Sequence, residues 1–265
     1  MADAEAIEIR QQLTSDGAIL FDATAVAQAP AFASEWFEPA YWRARNAATT
    51  ASGGRGGITF AQTPHGDWAL RHYRRGGMVA RIMGDRYLWN GVDRTRSFSE
   101  FRLLAELSTQ GLNVSRPVAA RFQRNGAHYR ADLITHYIPH AQTLAHRLHD
   151  GGIDRTIATR VGVGIARLHA AGAYHADLNA HNVLVDPQDV WLIDFDRGEL
   201  REPQRSWQHE NLSRLRRSLI KIGAAANGQV LFDTELWRPL MNAYEHSLAA
   251  EAAPRIASAA GGRHG

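Results

Sequence analysis

The stretch HADLNAHNVLVDPQDVWLIDFDRG, from His175 to Gly198, sets Asp177, Asn182 and Asp194 among residues otherwise suited to buried strands. Asp177 and Asn182 stand five apart, and Asp194 follows Asp177 by seventeen. NVLVD and VWLID are short apolar runs separated by the turn residues PQD, which is a hairpin pattern. If they pair, the residue before the first strand lies beside the residue after the second, so Asn182 meets Asp194. A carboxylate and an amide oxygen form the hard-oxygen ligation that Mg²⁺ accepts, with water and phosphate oxygens completing its octahedron. Asp177, on the preceding loop, is then placed to orient or accept a proton from an attacking hydroxyl. The plainer alternative is that Asp177 caps a turn and Asp194 ends a strand.

Together these residues match the division of labour in the H-R-D-x-x-x-x-N and D-F-G sets of kinases, here His175-Ala176-Asp177 with Asn182, and Asp194-Phe195-Asp196. Either half alone is a weak signal; the joint spacing is fairly specific. Phosphoryl transfer also needs a cation on the nucleotide phosphates and a group holding that cation. Trp68-Ala69-Leu70-Arg71 has the form of V-A-I-K with arginine for lysine, and a guanidinium grips phosphate with a planar fork. Glu100 is its candidate partner. Ser97-x-x-Glu100 is equally a capping box, in which Glu100 serves only its own helix. Gly53, Gly54, Gly56 and Gly57, just upstream of the Arg71 strand, read either as a cover over phosphates or as a plain flexible loop, since they lack the G-x-G-x-x-G spacing. His175 and His181 flank Asp177 at a spacing of six that fits no zinc pattern, so His175 is expected to pack and hold its loop.

These side chains need a scaffold. ITFAQ and DWALRHY around TPHGD predict a hairpin, as do PVAARFQ and HYRADLITHYI around RNGA. Between the two hairpins, Phe98, Phe101, Leu104 and Leu107 predict a helix over 97–111. After IPHAQ the pattern turns helical, with Ile157, Val161, Ile165 and Leu168 on one face of 156–172 and further helices near 207–222 and 234–250. The expected class is α+β, a small β-rich lobe with one key helix followed by a mainly helical lobe. The expected boundaries are 1–138 and 139–250, with a disordered tail over 251–265.

With 265 residues and 45% hydrophobic content the chain suits a globular protein. It has no cysteine, which excludes disulfides and thiolate chemistry. MADAEAIEIR does not open as a secretory signal, and no run of eighteen apolar residues predicts a spanning helix. The net charge is +3, with arginines concentrated in RHYRRGGMVARIMGDR (71–86) and RLRRSLIK (214–221). In the second cluster, Leu212, Leu215, Leu219 and Ile222 read as a core stripe with the arginines on a solvated face. Clusters of this kind usually mark a solvated face and otherwise a surface for phosphate, nucleic acid or anionic lipid; in the first, Arg74, Arg75, Arg81 and Arg86 are the candidates for an anionic surface.

On GRGGITF, ALRHYRRGGMVARIMGDRYLW, TRSFSEFRLLAEL, GLNVSRPVAAR, YHADLNAHNVLVD and WLIDFDRGE, the chain resembles the 3-deoxy-D-manno-octulosonic acid (Kdo) kinases of Gram-negative lipopolysaccharide synthesis. The resemblance implies a protein-kinase-like bilobal fold and ATP-dependent phosphorylation of the Kdo 4-hydroxyl on lipid A carriers. It further implies Asp177 as the catalytic aspartate and an enzyme peripheral to the cytoplasmic side of the inner membrane. The chain departs from protein kinases in Arg71 for lysine, in Asn179 for the catalytic-loop lysine and in the missing glycine after Asp194-Phe195. It also has no A-P-E and no room for a long activation segment, so no platform for a peptide substrate is expected. The alternatives are a small-molecule kinase of the aminoglycoside or choline type, a pseudokinase that binds nucleotide without catalysis, and a nucleic-acid binder supported only by the arginines. The resemblance favours no nucleic acid as partner.

Overall fold

A computed structural model of the chain describes residues 6–50, 58–74 and 85–260. The chain divides into two compact units, residues 1–111 with 115–138, and residues 112–114 with 139–265. The expected mixed α+β class holds: an antiparallel sheet dominates the first unit and helices dominate the second.

The sheet of the first unit uses β1 (Ile9–Leu13), β2 (Gly17–Asp22), β3 (Ala48–Thr50), β4 (Thr59–Thr63), β5 (Gly66–His72), β6 (Tyr87–Leu88), β7 (Pro117–Asn125) and β8 (His128–His136). Their order is β1-β2-β7-β8-β5-β4-β3, with β6 also pairing β8. Both hairpins expected from the sequence are present, β4 with β5 through Thr63↔Gly66 and β7 with β8 through Asn125↔His128. The expected helix is α2 (Arg96–Thr109), which buries Phe98, Phe101, Leu104 and Leu107 and packs on β7 and β8. It follows a short α1 (Pro39–Arg43).

Sequence patterning passed over residues 9–47, and the structure shows why. GAILFD is a continuous apolar run without alternation, and as β2 it is buried almost end to end, so it carries no period-2 signal. Phe32, Phe37 and Trp42 then pack with Phe21, Trp68, Leu70 and Ile134 as an aromatic layer on one face of the sheet.

In the second unit, α3 (Leu144–His149) and α4 (Arg155–Ala170) are followed by α5 (Arg205–Lys221), α6 (Gln229–Phe232) and α7 (Arg238–Ala260). The stripe on α4 is buried as expected, and so are Leu212, Leu215 and Leu219 of α5. Helices α4 and α7 approach backbone to backbone at Gly162, where a Cβ would stand 2.2 Å from the Leu240 carbonyl oxygen. The short strand β9 (Gln142–Thr143) leads into α3, and β10 (Ala173–Tyr174), β11 (Val183–Val185), β12 (Val190–Leu192) and β13 (Glu199–Leu200) lie between α4 and α5. No helix among the described residues is long and apolar enough to cross a membrane.

Candidate active site

In the second unit the site begins where α4 ends. Gly172 takes φ +81°, where a Cβ would also collide with the Arg201 carbonyl 2.2 Å away, and it turns the chain into β10 and His175. His175 is 1% exposed and bonded at three points. Its backbone N–H donates to Asn211 Oδ1 of α5 at 3.2 Å, Nδ1 accepts from the Asp177 N–H at 3.1 Å, and Nε2 faces the Ile193 carbonyl at 3.0 Å. A ring that accepts at Nδ1 and meets a carbonyl at Nε2 must carry its proton on Nε2, the neutral tautomer. Burial holds its pKa below the ordinary histidine value, against the opposing pull of the Ile193 carbonyl. One neutral imidazole thus ties the backbone of Asp177 to the residue preceding Asp194.

Strands β11 and β12 pair through Val183↔Leu192, and the Ile193 N–H donates to the Asn182 carbonyl at 3.1 Å, so Asn182 and Asp194 flank one end of a hairpin as the spacing required. Asn182 is 8% exposed and spends its Nδ2 on the Asp177 carbonyl at 3.0 Å, which leaves its oxygen as the end able to meet a cation. Asp194 sits in the left-handed region at φ 63°, a strained conformation that aspartate tolerates better than most residues and that concentrates at functional sites. Phe195 anchors the turn, fully buried with its ring centroid 4.7 Å from that of His175. The Asp177 side chain is exposed, and Asn179 Nδ2 donates to its Oδ2 at 3.1 Å. Asn179 therefore orients the Asp177 carboxylate.

In the first unit, Arg71 Nη2 donates to Glu100 Oε2 across from β5 to α2. Tyr73, two residues on and so on the same face of the strand, donates its hydroxyl to that oxygen at 2.5 Å and accepts from Arg71 Nη2 at 2.9 Å. The Glu100 side chain is 1% exposed and that of Arg71 21%, so the carboxylate is sealed while the arginine stays partly exposed. The capping-box alternative does not describe this helix. Its N-cap is Thr95, and the Ser97 hydroxyl donates to the Arg121 carbonyl at 2.9 Å instead.

Against this geometry stand the comparisons. The family model for the lipopolysaccharide kinase (Kdo/WaaP) family matches residues 39–244. The chain belongs to the lipopolysaccharide kinase (Kdo/WaaP) family. Relatives include 3-deoxy-D-manno-octulosonic acid kinases of Stenotrophomonas maltophilia R551-3, 47% identical over 78% of this chain and 81% of the relative, and of Xanthomonas euvesicatoria pv. vesicatoria 85-10, 48% identical over the same shares. A third, from Xanthomonas oryzae pv. oryzae PXO99A, is 46% identical over 80% and 84%. Among solved structures, WaaP in complex with acyl carrier protein aligns with a TM-score of 0.47 at 13% identity, covering 77% of this chain and 82% of that one.

In this lipopolysaccharide kinase, Asp177, Asn182 and Asp194 come together in the second unit and Arg71 with Glu100 in the first. Gly53, Gly54, Gly56 and Gly57, expected as a phosphate cover, lie outside the described residues, as do Arg75 and Arg81. Sequence reasoning missed Tyr73 and Asn211. Strand parity with Arg71 was the available signal for Tyr73. Asn211 carried none, because a lone amide in an arginine-rich helix reads as solvated; here it is fully buried.

Proposed function

We propose that the protein is a Kdo kinase that moves the γ-phosphoryl group of ATP to the 4-hydroxyl of a Kdo residue on a lipid A type acceptor. The observation that carries this reading is the 46 to 48% identity, over about four-fifths of each chain, to relatives named 3-deoxy-D-manno-octulosonic acid kinases. The new bond joins the sugar oxygen to the γ-phosphorus, and the bond broken is the one from that phosphorus to the β–γ bridging oxygen. Asp177, exposed and oriented by Asn179, takes or directs the hydroxyl proton. The oxygens of Asn182 and Asp194 suit Mg²⁺, which when bound would offset phosphate charge. Arg71, steered by Glu100 and Tyr73 and partly exposed, is the proposed grip on the nucleotide phosphates, and Gly53, Gly54, Gly56 and Gly57 are the proposed cover over them.

The short span between Asp196 and α5, which starts at Arg205, leaves no long segment to dock a peptide. The enzyme is proposed to work at the cytoplasmic face of the inner membrane as a peripheral protein. Arg74, Arg75, Arg81 and Arg86 would face anionic lipid there, at roughly 1 kcal/mol per basic residue. The test is an acceptor panel with labelled ATP and Mg²⁺, comparing Kdo-lipid A, an aminoglycoside and choline. Label in Kdo-lipid A alone supports the reading. Label in the small molecules and none in the glycolipid defeats it.

A further inference from the structure

Arg71 and Tyr73 point to α2, so the alternate residues of the same strand, Leu70, His72 and Arg74, face the opposite side of the sheet. There the chemistry divides. Toward Trp68 the face is the aromatic layer, but toward Arg74 it becomes a charged floor built from His72, Asp132 of β8 and Arg121 of β7. Asp132 accepts from Arg121 Nε at 2.9 Å and meets His72 Nδ1 at 2.6 Å. Arg121 Nη2 reaches Glu38 at 2.7 Å, and Asp85 meets His72 Nε2 at 2.9 Å and Arg130 Nε at 3.0 Å. The side chains of Arg121 and Asp132 are each 8% exposed, so this floor is fixed.

Two arginines stand at the mouth of that floor. His72 pairs with Asp132, and the Tyr73 N–H continues the ladder to the Ala131 carbonyl at 3.0 Å, which puts Arg74 directly across from Arg130. Like charges directly opposite on neighbouring strands are destabilising. Among the described residues Arg74 has no hydrogen bond or ion pair, and Arg130 engages Asp85 through Nε, which leaves its outer nitrogens to project. Arg74, Arg121, Arg130 and Gln123 line one cavity of about 270 Å³ with Glu38 and Asp132. Glu38, Asp85 and Asp132 each have a partner among Arg121, Arg130 and His72, whereas Arg74 has no carboxylate partner among the described residues.

We propose that this cavity is a phosphate-monoester site, in which Arg74 and Arg130 receive the phosphate oxygens above the Arg121–Asp132–His72 floor. A dianion between two guanidinium forks removes the cross-strand repulsion and supplies charge-assisted bonds to both. The site lies on the face of the sheet opposite Arg71 and Glu100, and it stands independently of the reaction proposed above. The phosphate can belong to a phosphorylated glycan or to a lipid headgroup.

The experiment titrates the full chain with inorganic phosphate at constant ionic strength, following thermal unfolding, for wild type and for Arg74→Gln/Arg130→Gln. Single Arg74→Gln, at an exposed position, serves as the variant whose folding is least at risk. Wild type should gain stability with phosphate, and the double variant should bind about tenfold more weakly or worse, as expected for losing charge-assisted bonds. Equal shifts in all three proteins, or none in wild type, overturn the site. Sedimentation with phosphatidic acid vesicles and titration with a soluble phosphorylated sugar then assign the source. Loss confined to vesicles points to a headgroup, and loss confined to the sugar points to a glycan; unchanged binding to both overturns the proposal.

Discussion

Tyr73 donates its phenolic hydroxyl to Glu100 Oε2, the same carboxylate oxygen that Arg71 holds. Glu100 is therefore a buried carboxylate satisfied from two directions by one strand. Tyr73→Phe removes a bond to a buried charge and should cost about 1.5–3 kcal/mol, measured by denaturant unfolding. It should also lower turnover by loosening Arg71. Arg71→Lys keeps the charge but loses the fork, so activity should fall while the fold survives. Glu100→Gln should lower activity as much as Glu100→Ala; wild-type behaviour of Glu100→Gln would show that the ion pair does not matter.

Two histidines should give stability opposite dependences on pH. His72 has its pKa raised, first by its hydrogen bond to Asp132 and further by Asp85. Its contribution is complete below the unfolded value near 6.5 and is lost as pH rises through the folded value. His169, buried between α4 and α7 and facing the Tyr244 hydroxyl at 2.9 Å, has its pKa pushed down to about 3 by burial. Its cost grows as pH falls from about 6.5 toward 3, because the unfolded chain takes up a proton that the folded one refuses. Urea unfolding against pH should therefore show acid destabilisation that weakens in His169→Gln, and loss on the alkaline side of His72's titration that weakens in His72→Gln. Unaltered profiles in both variants would contradict these assignments.

Gly162→Ala should destabilise the second unit despite alanine's better helix propensity, worth about 1 kcal/mol. A Cβ there would stand 2.2 Å from the Leu240 carbonyl oxygen and 3.0 Å from the Tyr244 nitrogen, both backbone atoms that cannot move aside alone. Overpacking of this kind costs roughly 1–3 kcal/mol. A rise in Tm for this variant would mean that α4 and α7 separate easily.

Asp194→Ala should abolish metal-dependent nucleotide binding rather than only slow the chemistry. Calorimetry with ATP in the presence and absence of Mg²⁺ checks this, and an unchanged metal-dependent affinity would remove Asp194 from the ligand set. The backbone at Asp194, held at φ 63°, should favour Asp194→Gly structurally, so Tm in that variant is the control for fold.

Much of this site was legible because hairpins convert sequence spacing into proximity. Asn182 and Asp194 lie twelve residues apart, yet β11 and β12 bring their backbones together through one bond from Ile193. Glu100 resisted the same reasoning, since a helix start shifted by two residues turns a capping position into an interior one and no pattern fixes that start. The aromatic layer from Phe32 to Trp42 was invisible for a different reason. Its residues sit in an irregular turn, a four-residue 3₁₀ helix and the five-residue α1, all too short to show a period, and only the sheet they cover shows that they are core.

The central claim is that Asp177 directs phosphorylation of a Kdo hydroxyl. Asp177 is exposed, so Asp177→Asn should leave Tm nearly unchanged while lowering turnover about a hundredfold to ten-thousandfold. The decisive measurement incubates wild type and Asp177→Asn with ATP, Mg²⁺ and Kdo-lipid A and locates the added phosphate by nuclear magnetic resonance. The account predicts a monophosphate on the Kdo 4-oxygen with wild type and almost none with the variant. Near-normal product from Asp177→Asn, or phosphate placed elsewhere than on Kdo, would contradict it.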